Sequence, residues 1–218
     1  MKAAGAGALA VGVAACKSGS DQNGRAKEDL GPAEMPLRTN PATGDKVSLL
    51  GYGCMRWKMI PGPDGGEIID QDYVNELVDY ALEHGVNYFD TSPVYLQGQS
   101  EAAAGIALSR HPRDSYFIAT KMSNFSNFDL DNSILMYKES FKNLKTDYID
   151  YYLLHSVGDG RAFKERFLDT GLMDYLIKER EAGHIRNLGF SFHGSAKGLD
   201  ELMAFHELYH WDFVQIQM

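Results

Sequence analysis

Four residues have types and a spacing that could do chemistry together: Asp90, Tyr95, Lys121 and His155. Asp90 closes the run "VNYFD", Lys121 falls near the end of "YFIATKM", and His155 near the end of "YIDYYLLHS". Tyr95 follows on the stretch just after Asp90. A tyrosine hydroxyl ordinarily titrates near pH ~10, too high for ready proton exchange at neutrality. A neighbouring ammonium favours the phenolate, which makes Lys121 a natural partner for Tyr95. Asp90 would pair with Lys121, holding it in place and charged. His155 could donate a hydrogen bond to a substrate oxygen and orient it. Such a set makes Tyr95 a general acid toward a carbonyl oxygen. None of the four is a hydride source, so reduction would require a bound redox cofactor.

These groups do chemistry only if the chain gathers them. From Met35 onward, short apolar runs alternate with helical patterns. Strands are predicted at 46–57, 86–92, 116–122, 148–156, 185–193 and from 213. Helices are predicted at 72–85, 100–110, 130–144, about 163–182 and 197–210. Val74, Leu77, Val78, Ala81 and Leu82 fall at helix spacing, and Gly85 is a C-terminal stop. The run at 148–156 is nearly all apolar, as a strand covered on both faces must be. Strict alternation of this kind demands a parallel sheet, either an open doubly wound sheet or a closed barrel. In both, the C-terminal strand ends form the active face, which is where Asp90, Lys121 and His155 fall. Ahead of the first strand, two short extended runs flank "NPATGD", predicting a β-hairpin.

The stretches "FDTSPVYLQGQSE" (89–101), "IATKM" (118–122) and "YYLLHS" (151–156) resemble the active-site motifs of the aldo/keto reductases, in family order. The resemblance extends over about 35–218. It implies a (β/α)8 TIM-type barrel with an N-terminal hairpin, here cut after about six of eight βα units. It also implies hydride transfer from a nicotinamide cofactor, NADP(H), to an aldehyde or ketone. Tyr95 would be the acid, Lys121 and Asp90 would tune it, and His155 would orient the carbonyl. Gly53, Cys54 and Met55 of "GYGCM" would approach the nicotinamide. Ser191 and Gln215 would hold its carboxamide, although Phe192 stands where the family motif carries asparagine. Trp57 and the loop "IPGPDGG" (60–66) are candidates for lining a substrate pocket, or for plain surface. Iron–sulfur clusters are expected only in a C-terminal region beyond Met218, and the chain is read as a fragment of a longer product.

"HELYH" (206–210) fits the His-Glu-x-x-His pattern of zinc proteases. It is expected to be a partly buried histidine pair on a barrel helix, with no metal bound. The chain's net charge of −9 and lack of a basic patch argue against nucleic acid, leaving a small carbonyl substrate as the expected partner. Two cysteines, Cys16 and Cys54, make neither a disulfide framework nor a Cys-x-x-Cys site. The apolar run 3–15 is too short to span a bilayer, which takes ~20 residues. It suits a signal-peptide core, and "VAAC" resembles a lipobox that would place a lipid anchor on Cys16. Residues 1–16 are thus read as a signal segment and 17–34 as a tether, with 35–218 as the partial barrel. The expected setting is a membrane-anchored lipoprotein on the periplasmic side; the cytoplasm is the alternative. A non-catalytic, membrane-tethered binding lipoprotein is the competing function.

Overall fold

The computed structural model describes residues 34–217. The readings for the signal segment, for Cys16 and for the tether up to residue 33 lie outside them. The described residues begin with the expected hairpin, β1 (Leu37–Thr39) antiparallel to β2 (Lys46–Ser48). Its turn is tied by Gly44 N–H donating to the Asn40 carbonyl at 2.8 Å. The six barrel strands follow: β3 (Tyr52–Gly53), β6 (Tyr88–Asp90), β7 (Phe117–Met122), β8 (Ile149–Val157), β9 (Ile185–Phe192) and β10 (Phe213–Ile216). They pair in parallel and in chain order, so each strand lies beside the next. The described residues thus form six consecutive strands of a (β/α)8 barrel, as expected. Between β3 and β6 lies a second hairpin, β4 (Met59–Pro61) with β5 (Glu67–Ile69).

The helices α1 (Gln71–Glu83), α2 (Ser100–Leu108) and α3 (Leu130–Leu144) cover the outer face of the strands. Beyond β8 the chain runs α4 (Gly160–Phe163), a π-helical turn (Lys164–Leu168) and α5 (Leu172–Glu181); α6 (Ala196–Met203) and α7 (His206–Tyr209) follow β9. α1 shows why the sequence folds as it does. The Asp70 carboxylate caps it by accepting the Tyr73 N–H at 3.2 Å. Val74, Val78 and Ala81 form its buried stripe. Gly85 then takes φ +80°, the left-handed conformation that ends a helix. Among the described residues, no helix is long and apolar enough to cross a membrane.

Four expectations need correction. The strand predicted over 46–57 is two short strands followed by a 3-10 turn at Cys54–Arg56. The predicted helix 163–182 is broken at Gly171, which adopts φ +77°. The predicted helix 197–210 breaks after Met203, and α7 stops at His210 with φ +48°. That break turns His206 and His210 out of the packed face, so both are exposed rather than partly buried. No cluster of three metal-ligating side chains occurs among the described residues.

Strand parity decides which side chains reach the barrel interior, because successive strand residues face opposite ways. Ala119, Tyr151 and Leu153 form an inner cluster, with Val47, Tyr88, Phe117 and Phe213 packed against it. Phe89, Ile118, Tyr152, Leu154 and Phe190 belong instead to the larger core. Two residues beyond an inner-layer residue, the same inward direction recurs. Tyr88 thus leads to Asp90, Ala119 to Lys121, Leu153 to His155, and Phe213 to Gln215.

Candidate active site

Lys121 is the most constrained residue of the face, with 2% of its side chain exposed. Its ammonium donates to Asp90 Oδ1 at 2.6 Å and to the Thr91 carbonyl at 2.8 Å. Nζ also lies over the Tyr95 ring, 4.9 Å from its centroid. Burial pushes the Asp90 carboxyl above its ordinary range, and the charge and hydrogen bond of Lys121 oppose that rise. Tyr95 begins a 3-10 turn in which Leu96, Gln97 and Gly98 all have positive φ, at 49°, 57° and 87°. Left-handed backbone costs ordinary residues about 1–2 kcal/mol each, so this loop stores strain beside the site.

The Tyr95 and His155 rings meet edge to face with centroids 5.8 Å apart. His155 is 7% exposed, and its Nδ1 is engaged by the Ser123 hydroxyl at 2.6 Å. Its chain segment is fixed from behind by Arg166, which donates to the His155 carbonyl at 2.9 Å and to Asn124 Oδ1 at 3.1 Å. The Arg166 guanidinium also lies over the Phe125 ring at 4.9 Å, and that ring sits 5.0 Å from His155. Burial pushes His155 down from 6.5 to about 3, and the charges of Lys121 and Arg166 add to the shift. The imidazole is therefore neutral at pH 7.

A pH dependence follows. Because the folded value lies below the ordinary one, the unfolded chain takes up the proton first as pH falls. The stability from this group is complete above about 6.5 and is lost progressively as pH falls toward 3. Between pH 7 and pH 5 the loss is about 2 kcal/mol. Urea unfolding at the two pH values should show His155→Gln losing about that much less than the wild type. Equal losses in both would mean that His155 titrates normally in the folded protein.

The face opens into a cleft of about 290 Å³ lined by Met55, Tyr95, Lys121, His155, Ser191 and Gln215, among others. Six sequence-predicted residues therefore meet there. Cys54 does not: its side chain is fully buried in the core, and burial pushes its thiol well up. Gly53 is exposed at the end of β3, and a Cβ there would meet nothing within 4 Å. Asp90 stands behind Lys121. Trp57 is buried and donates to the Tyr52 hydroxyl at 3.1 Å, so it belongs to the core rather than to a pocket. The stretch at 60–66 is the end of β4 and the turn that joins it to β5.

Phe192 points outward into the core, while the next residue, His193, lines the cleft. Strand parity could have found this in the sequence. Ser123 and Arg166 carried no such signal, because a π-helical turn and a loop after β7 bring them in.

The cleft residues suit a nicotinamide. Ser191 Oγ accepts the Ser156 N–H at 2.8 Å, which leaves its own proton to donate. The Gln215 side chain makes no hydrogen bond among the described residues, so its amide can meet a carboxamide. The volume of about 290 Å³ lies at the small end for ligand sites, on the scale of a single ring.

Residues 49–218 match the aldo/keto reductase family, and the chain belongs to it. A D-arabinose 1-dehydrogenase of Saccharomyces cerevisiae is 38% identical over 109 residues, which are 43% of this chain and 32% of the relative. A methylglyoxal reductase of Salmonella typhi is 36% identical over 127 residues, 56% of this chain and 44% of the relative. The chain thus spans less than half the length of these curated relatives. Among solved structures, an aldo-keto reductase from Bacillus halodurans aligns with a TM-score of 0.64 at 25% identity, covering 84% of this chain and 58% of that one.

Proposed function

We propose that this chain carries the catalytic face of an NADPH-dependent oxidoreductase that reduces an aldehyde or ketone to an alcohol. One observation carries the reading: Tyr95, Lys121 and His155 converge on one cleft, beside Ser191 and Gln215, with Lys121 tied to Asp90. When bound, the reduced nicotinamide supplies the hydride. Ser191 and Gln215 would hold its carboxamide, and Met55 would close one side of the ring.

Every other step belongs to the chain. His155, neutral at pH 7, offers a hydrogen bond that orients the carbonyl oxygen toward Tyr95. The Tyr95 hydroxyl gives its proton to that oxygen as negative charge develops there. Lys121 lies close enough to stabilise the phenolate left behind, and Asp90 keeps the ammonium aimed. The substrate class is a small carbonyl compound, supported by the relatives that act on D-arabinose and on methylglyoxal. Fluorescence titration of the natural full-length protein with NADPH and with NADH tests the cofactor. Tighter binding of NADPH is expected, and no binding of either would remove the reading.

The site is further proposed to work outside the cytoplasm, held by lipid on Cys16; the sequence "VAAC" supports this. Incorporation of labelled fatty acid that disappears in Cys16→Ser is the expected result. Equal labelling of both proteins would place the lipid elsewhere, and no labelling would remove the anchor.

A further inference from the structure

Behind His155, on the side away from the cleft, lie two buried hydroxyls that the chemistry above does not use. Ser123 Oγ is 2.6 Å from His155 Nδ1, and Ser92 Oγ is 2.9 Å from Ser123 Oγ and 3.4 Å from Nδ1. Both serines are almost fully buried, at 3% and 0% exposure. A neutral imidazole carries its proton on one nitrogen only, and the partner of the other nitrogen decides which.

The proton count separates the two arrangements. Suppose Nε2 carries the proton. The Ser123 hydroxyl then donates to Nδ1 at 2.6 Å, and the Ser92 hydroxyl donates to Ser123 Oγ at 2.9 Å. Ser92 Oγ accepts the Val94 N–H at 3.4 Å, so each hydroxyl proton has an acceptor. Suppose instead that Nδ1 carries the proton and donates to Ser123 Oγ. If the Ser123 hydroxyl then turns to Ser92, the Ser92 proton has no acceptor among the described residues. If it turns to the Lys121 carbonyl, it reaches only a long contact at 3.4 Å. Leaving a buried donor unmet biases the equilibrium by roughly ten- to a hundredfold.

We propose that Ser123, backed by Ser92, is a positioning residue that fixes the His155 ring with its proton on Nε2, aimed into the cleft. The tautomer stands on the geometry alone, and its use in orienting a carbonyl rests on the reductase reading. The pair also explains why the residue two beyond Lys121 is a buried serine rather than an apolar core residue.

The test is nitrogen NMR of the full-length protein labelled with ¹⁵N-histidine, with the His155 signals assigned by their loss in His155→Gln. The wild type is expected to show Nε2 as the protonated nitrogen and Nδ1 as the bare one. Ser123→Ala should mix the two tautomers, and Ser123→Thr, which keeps the hydroxyl, should restore the wild-type pattern. Ser92→Ala should shift the ring less and in the same direction, and it serves if Ser123→Ala fails to fold. With carbonyl substrate, Ser123→Ala should lower kcat about tenfold or more while KM for the cofactor stays within about twofold. A wild-type ring protonated on Nδ1, or an unchanged tautomer in folded Ser123→Ala, would overturn the proposal. Absence of wild-type turnover would sink the reductase reading instead, and the NMR result would still decide the tautomer.

Discussion

Tyr95→Phe in the full-length protein is expected to lower carbonyl turnover by roughly a hundred- to ten-thousandfold, the usual scale for losing a positioned general acid. The substitution removes one hydroxyl and keeps the ring. The edge-to-face contact with His155 and the ammonium of Lys121 over the ring face therefore persist. Nothing in the core depends on the lost oxygen, since Tyr95 is only half-buried. Stability should change by less than about 0.5 kcal/mol. Binding of the cofactor should be nearly unaffected, because the carboxamide partners proposed are Ser191 and Gln215. Steady-state kinetics with a binding titration check both halves. Turnover that survives would remove Tyr95 from the acid role.

Lys121→Met is expected to abolish turnover and also to destabilise the fold, by about 3–5 kcal/mol at neutral pH. The cause is the partner left behind. Asp90 stays in the barrel with Oδ2 already lacking a partner among the described residues, and it loses the 2.6 Å ion pair on Oδ1. Burial alone already raises its carboxyl, and without Lys121 nothing opposes that rise. The sign of the pH dependence follows. A carboxyl raised in the folded state costs stability while it is ionised, and the cost disappears as pH falls and it takes up a proton. The gap between Lys121→Met and wild type should therefore narrow as pH drops from 7 toward 4. Adding Asp90→Asn should recover most of the lost stability and none of the turnover. Denaturant unfolding across that pH range checks this. A constant gap, or a double variant no more stable than the single one, would mean that the buried pair is not what holds this part of the barrel.

Much of this face was legible in the sequence because strand ends announce themselves. An ionisable residue closing an apolar run has to be paired or functional, and Asp90, Lys121 and His155 each stand in that position. The parallel alternation then fixed their neighbourhood without any distance being known. Less legible was what depends on φ rather than on hydrophobic period. The left-handed Gly171 divides one helix that the apolar pattern reads as continuous, and a break after Met203 divides another, whose second piece the left-handed His210 ends. Cys54 shows a related limit, since a 3-10 turn after two strand residues rotates its thiol into the core. Ser123 and Arg166 are ordinary in sequence and gain meaning only from what they touch.

The claim that binds these observations is that Tyr95 delivers a proton to a carbonyl oxygen in the cleft it shares with His155 and Lys121. The most direct measurement follows NADPH oxidation by the full-length protein with methylglyoxal, while the alcohol product is quantified. The wild type should form one alcohol per NADPH consumed, and Tyr95→Phe none above background with NADPH still bound. Alcohol formed at equal rates by both proteins would contradict it.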